Sequence, residues 1–118
     1  MAYWLLVRTR AGALEAHSST RRPAVQRGDL AVCYLAGVKC IFAVVEVASD
    51  PENDPSRTRW QWRFAIRPVL VVDPLEAPPV EVAGILPRSL GRHSYVRLTE
   101  EQFEAAKRGI GDSVEPLP

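Results

Sequence analysis

Gly28-Asp29-Leu30-Ala31-Val32-Cys33-Tyr34-Leu35-Ala36-Gly37, followed after three residues by Ile41-Phe42-Ala43-Val44-Val45-Glu46-Val47, decides how this chain folds. Gly-Asp marks a turn into an apolar run, Ala36-Gly37 marks a reversal, and a second apolar run returns. That is the pattern of a β-hairpin with both strands deeply buried. With Ala36-Gly37 as a two-residue loop, Leu35 pairs with Val38, Tyr34 with Lys39 and Cys33 with Cys40. The cysteine pair would then be a hydrogen-bonded one with widely spaced Cα atoms, so the expectation is two reduced packing thiols.

Before the hairpin, Tyr3-Trp4-Leu5-Leu6-Val7 reads as a first strand reaching Thr9, and residues 10–27 read as a loop with at most one helical turn. After it, Pro51, Asn53, Asp54 and Pro55 make 50–59 a polar loop. Trp60, Trp62, Phe64 and Ile66 then alternate with Gln61, Arg63, Ala65 and Arg67, which is a strand with one core face and one wet face. Val69 to Val72 continue it as a strand or a bend, Pro74, Pro78 and Pro79 form a rigid connection, and Val80 to Leu86 is a short strand or a helical turn.

Thr99-Glu100-Glu101-Gln102 is a capping box, with Leu98 and Phe103 spaced as its hydrophobic staple. The helix is expected from about Glu100 to Arg108, ending at Gly109. The sum is an α+β fold: a small β-barrel of about five to six strands with short flanking helices. One domain is expected over 1–110, with a flexible tail at 111–118.

A chain of 118 residues suits one core. Its 47% hydrophobic and 25% charged residues are ordinary for a globular domain, which argues against disorder. No stretch reads as a membrane span or a leader, so the expected location is cytoplasmic with no membrane partner. The net charge of +1 hides an uneven distribution. Arg8, Arg10, Arg21, Arg22 and Arg27 stand against Glu15 alone in the first 27 residues, and 57–67 holds four arginines and no acid. The preference for Arg over Lys suits planar recognition of phosphate. Cys33, Cys40, His17 and His93 are not spaced as a zinc motif, and neither a metal nor a cofactor is implied.

Taken in order, these blocks resemble an EVE domain, a branch of the PUA-like superfamily that also holds the YTH and ASCH domains. The resemblance covers about residues 3 to 108. It rests on Tyr3-Trp4, on Gly28-Asp29 with Tyr34 ending the next strand, on Ala43 to Val47, on Trp60 to Ile66, and on Leu90-Gly91-Arg92-His93-Ser94-Tyr95 leading to Thr99 to Phe103. Two departures stand out. Val7-Arg8-Thr9-Arg10 replaces the Lys-Ser-Glu-Pro-like run of many EVE proteins, and the 17–27 loop lacks the tryptophan-bearing helical region of the larger ones. His17-Ser18-Ser19 is similar to the small-residue loop of the shorter members.

The resemblance implies a PUA-like barrel and a non-catalytic nucleic-acid-binding module that reads a modified base flipped out of DNA or RNA. Downstream action would then come from a separate effector protein. Such a site needs a flat wall for stacking, donors and acceptors for the base edge, and cations for phosphates. Trp4, Arg8, Thr9, His17, Ser18, Tyr34, Trp60 and His93 are the candidates for the base pocket; Arg10, Arg21, Arg22 and Arg92 are those for phosphate. Trp62 is expected to pack in the core while Trp4 or Trp60 borders the pocket, and Tyr34 either walls it or packs inside. Two other readings stand beside this one. In an ASCH-like small hydrolase acting on a modified nucleoside, Lys39 and Glu46 would be the central-strand candidates, although their spacing puts them on opposite faces. A small-molecule or protein-interaction module is compatible with the near-neutral charge.

Overall fold

A computed structural model describes residues 1–114. Strands β1 (Tyr3–Arg8), β2 (Ala16–Ser19), β3 (Leu30–Leu35), β4 (Cys40–Val47), β5 (Glu52–Asn53), β6 (Trp62–Val71) and β7 (Tyr95–Leu98) precede a single helix, α1 (Glu100–Asp112). Two 3-10 turns, Val80–Ala83 and Pro87–Leu90, lie between β6 and β7. The sheet runs β2-β6-β4-β3-β1-β7, with the short β5 paired to β6 off this path. β1 and β3 are parallel; the other pairs are antiparallel. The result is the expected α+β architecture, a curled half-barrel with α1 packed on it. No described helix is long and apolar enough to cross a membrane.

The β3–β4 hairpin forms as expected but with a different register. Its loop holds four residues, 36–39, because Lys39 adopts a left-handed backbone (φ 64°) and its N–H donates to Leu35 O at 2.7 Å. Leu35 therefore faces Cys40 and Cys33 faces Ala43, after a bulge between Cys33 and Tyr34. The two cysteines do not face each other; both are free and buried. Burial pushes the Cys33 thiol up to about 12 and the Cys40 thiol in the same direction, which leaves both unreactive at neutral pH.

β6 keeps part of the predicted alternation. Phe64 and Ile66 are buried and Trp62 is half-buried, but Trp60 lies outside the strand and is exposed. The strand continues through Pro68 to Val71 because the register shifts there, Val45 facing Pro68 and Val44 facing Leu70. A bulge is one of the few places where a strand tolerates a proline.

The loop expected at 10–27 contains β2, which pairs with β6 from Ala16 opposite Ala65 to Ser19 opposite Trp62. Asp29, in the Gly-Asp step, is buried and acts as a clamp. Oδ1 accepts from the Ala2 N–H at 3.0 Å, while Oδ2 accepts from Trp4 Nε1 at 2.9 Å and from the Gln26 N–H at 3.0 Å. Burial by itself would raise this carboxyl, but the three donors together with the N-terminal charge outweigh it and hold it below the usual carboxylate value.

At the C-terminal end the capping box is present in both directions, Thr99 accepting from Gln102 N and Gln102 accepting from Thr99 N. The helix does not stop at Gly109 but runs on to Asp112. Gly109 serves close approach instead: a Cβ there would lie 2.9 Å from Val82 Cγ2 on the first 3-10 turn. Of the expected tail, 111 and 112 belong to α1 and residues 115–118 lie outside the described residues.

Candidate functional site

The two ends of the sheet path, β2 and β7, share no backbone ladder. They are joined by a side chain. His17, buried to 6% exposure on β2, places Nε2 2.8 Å from the carbonyl oxygen of Ser94, just before β7. A carbonyl accepts only, so Nε2 carries the hydrogen and Nδ1 is the bare nitrogen. The same oxygen also accepts from the Val7 N–H at 2.9 Å, which extends the β1–β7 pairing by one step.

The bare Nδ1 faces Arg8 at the end of β1, whose Nη1 lies 3.4 Å away. Nη1 also donates to Ala16 O at 3.0 Å and Nη2 to Ala13 O at 3.3 Å, while Nε is buried without a partner. Burial pushes the His17 pKa down to about 4; the Ser94 hydrogen bond opposes this and the Arg8 charge adds to it. The imidazole is therefore neutral at physiological pH. It serves as a strut between two edges and a rest for a guanidinium, with both of its nitrogens engaged.

Around this strut lies a groove of 450 Å³ lined by Arg8, Thr9, Arg10, His17, Ser18 and Trp60, with Val7 and Ala16 at its base. Ser18 is further approached by Arg57 Nη1 at 3.5 Å. Trp60 is 38% exposed, carries the Arg59 guanidinium 5.2 Å from its ring centre, and sits in the left-handed region at φ 58°. A bulky aromatic residue in that region is an outlier. His17 lines this groove, and its partner Ser94 lines a second one, of 500 Å³, together with Thr20, Arg21, Arg92 and His93. Two cationic depressions thus share the seam of the half-barrel, Ser18 lining one and Ser19 the other.

Most of the residues nominated from the sequence meet at this seam. Arg8, Thr9, Arg10, His17, Ser18 and Trp60 share the first groove; Arg21, Arg92 and His93 share the second. Arg22 stands apart, over the Trp62 ring at 5.6 Å and beside a separate depression formed by 22–28, Asp50 and Pro51.

Trp4 and Tyr34 do not border either groove. Trp4 is buried, its indole N–H is held by Asp29, and it lies between Tyr95 at 5.7 Å and the Arg97 guanidinium at 5.2 Å. The hydrogen bond to Asp29 leaves its indole N–H with no capacity for a ligand. Tyr34 is buried beside the hairpin loop, and burial together with the Glu81 carboxylate pushes its phenol upward. Glu46 pairs with Arg67 at 2.7 Å on the outside of β4, and Lys39 stays on the exposed loop. Among the described residues, no group of three or more His, Cys, Asp or Glu is placed to hold a metal ion.

Sequence reasoning missed the carboxylate of Asp29 and the pairing of His17 with Ser94. The Gly-Asp step marked a turn, but the tryptophan that Asp29 receives lies far away in sequence. Ala16-His17-Ser18-Ser19 carries no large apolar residue, so its alternation of buried and open positions is hidden from a hydrophobicity pattern.

No family model matches the chain, and a search of curated proteins returns no match. Solved structures do match its fold over almost its full length. The NMR structure of Rpa0253 from Rhodopseudomonas palustris is similar with a TM-score of 0.67 at 20% identity, covering 94% of each chain. A hypothetical protein from Leishmania major gives a TM-score of 0.67 at 14% identity, covering 95% of this chain and 96% of its own. Protein Atu2648 from Agrobacterium tumefaciens gives 0.63 at 19% identity, covering 92% and 93%. The curled half-barrel sheet is thus an architecture that this chain shares with proteins from these three organisms.

Proposed function

We propose that this protein is a non-catalytic nucleic-acid-binding module of the EVE type, reading a modified base held in the groove of Arg8, Thr9, Arg10, His17, Ser18 and Trp60. The observation that carries this reading is the meeting of an exposed indole, on a left-handed backbone, with five arginines and His93 along one seam. Aromatic faces supply stacking to an unpaired base, and guanidinium forks supply contacts to phosphate. The groove volume of 450 Å³ falls in the range of small-ligand sites, roughly 300–1,000 Å³. In this reading the first groove receives the base and the second, with Arg21 and Arg92, receives the adjoining backbone.

The test is equilibrium binding of short DNA and RNA oligonucleotides, with unmodified and modified cytosine and adenine, over a range of salt concentrations. Affinity should fall linearly on a log–log plot, with a slope of about 0.7 per phosphate neutralised on a single strand. Arg92→Gln and Arg21→Gln, both at exposed positions, should each weaken binding across all sequences and shallow the slope. Trp60→Ala should erase the preference for the modified base. Binding that ignores salt and all three substitutions would end this reading.

A further inference from the structure

The polar groups that the first groove offers are donors and cations, set among Val7, Ala16 and the Trp60 ring. Arg8 and Arg10 bring guanidinium groups, Thr9 and Ser18 bring hydroxyls, Trp60 brings an indole N–H, and no Asp or Glu lines it. His17 adds no free donor, since its one hydrogen is held by Ser94.

Arg8 is the most telling member. Its guanidinium is half-buried, yet its partners are two backbone carbonyls and the bare nitrogen of a neutral imidazole. Among the described residues the ion pair formed is Arg67–Glu46, so the Arg8 charge is met by no carboxylate. Dipoles can orient a guanidinium but leave its net charge uncompensated, and a partly desolvated cation gains most from an anion brought to it. The carbonyls of Ala13 and Ala16 and the His17 nitrogen occupy three of its five N–H groups and Nε is buried, so Arg8 offers its charge and one remaining Nη2 hydrogen, held in place beforehand, which lowers the entropy cost of such an encounter.

We infer that this groove takes a flat ring carrying an oxyanion, the ring against Trp60 and the carboxylate or phosphate on Arg8 and Arg10. This deepens the proposed function, and rests on it in taking the ring to be a nucleobase. A carboxylated pyrimidine and a nucleotide with a terminal 5′-phosphate both present that chemistry, whereas a base bearing a methyl or amino substituent does not.

The experiment is a titration of the full chain at fixed ionic strength with three matched pairs. The first is an oligonucleotide with 5-carboxycytosine against the same strand with 5-methylcytosine. The second is a 5′-phosphorylated strand against its 5′-hydroxyl counterpart, and the third is cytidine 5′-monophosphate against cytidine. At least one oxyanion-bearing member should bind tighter than its partner by about tenfold, a typical return for a charge-assisted hydrogen bond. The first and second pairs tell a base carboxylate from a terminal phosphate. Arg10→Gln, at an exposed position, should reduce the preference without touching the fold, and Arg8→Gln, which removes the preplaced charge, should abolish it.

Equal affinity within every pair, with salt-dependent oligonucleotide binding intact, overturns this inference and leaves the nucleic-acid reading standing. A preference confined to the mononucleotide, with no oligonucleotide bound, supports the oxyanion site and overturns the nucleic-acid reading. Absence of binding to all six ligands overturns both.

Discussion

The imidazole of His17 donates to the carbonyl oxygen of Ser94 at 2.8 Å and thereby closes a sheet whose two end strands share no backbone ladder. A closed barrel satisfies its edges with main-chain pairs. Here one ring does part of that work, and the same ring rests against Arg8.

Protonating that ring sets a cation beside a guanidinium, so acid should loosen the seam. The His17 pKa falls from 6.5 to about 4 on folding. A depressed histidine means the unfolded chain binds the extra proton first, so stability is full above about pH 6.5 and is lost as pH falls toward about 4. The whole span is on the order of 3 kcal/mol. Urea denaturation between pH 7 and pH 4 should show it as a difference between wild type and His17→Gln, the variant being less stable at neutral pH but flatter across that window.

Asp29 is expected to be the least replaceable polar residue of the fold. Asp29→Asn keeps the shape but turns one acceptor oxygen into an N–H donor facing N–H groups of Ala2, Trp4 or Gln26. The loss should be about 2–4 kcal/mol, read as a lowered midpoint in thermal unfolding followed by tryptophan fluorescence. Because the Asp29 carboxyl is held below its ordinary value, its contribution is present at neutral pH and fades as pH falls through that depressed value.

Gly109→Ala should destabilise, although alanine favours a helix interior by about 1 kcal/mol over glycine. The new Cβ would meet Val82 Cγ2 at 2.9 Å, and a β-branched side chain has little freedom to step aside. Val82→Ala in the same chain should recover most of the loss. A double-mutant cycle in denaturant would read that coupling; additive effects would refute the contact.

Trp60 offers a separation of strain from function. Trp60→Gly and Trp60→Ala both remove the ring and should weaken base binding alike. Glycine tolerates the left-handed backbone at φ 58° and alanine does not, so the glycine variant should be the more stable by about 1 kcal/mol. Equal stabilities would mean that the backbone relaxes once the ring is gone.

Much of this architecture could be read from particular residues. The β3–β4 hairpin followed from two apolar runs around Ala36-Gly37, and α1 began where Thr99 and Gln102 said it would. Phe64 and Ile66 alternated as a core face should. What escaped the sequence depended on partners far along the chain. Gly109 reads as a helix stop until Val82 is seen against it. Lys39 gives no sign of the left-handed backbone that lengthens the loop, since lysine is not a residue that favours it. Trp4 reads as a stacking platform until Asp29 is found at its nitrogen. At the candidate site, the clustering of arginines was visible as composition, but their meeting with Trp60 required β2 to lie beside β6, and β2 hides its period in serine and histidine.

The placement of β1 between β3 and β7 has a consequence for the order of events as the chain assembles. Tyr3 pairs with Leu98, so the first strand made lacks one neighbour until nearly the last residues of the sheet exist. Such pairing closes a very long loop, which slows a transition that local hairpins would otherwise complete early. The seam at His17 and Ser94 can form only after that closure. The groove that Arg92, His93 and Ser94 line is therefore absent from every shorter nascent chain, whereas the residues lining its neighbour are all made by Trp60.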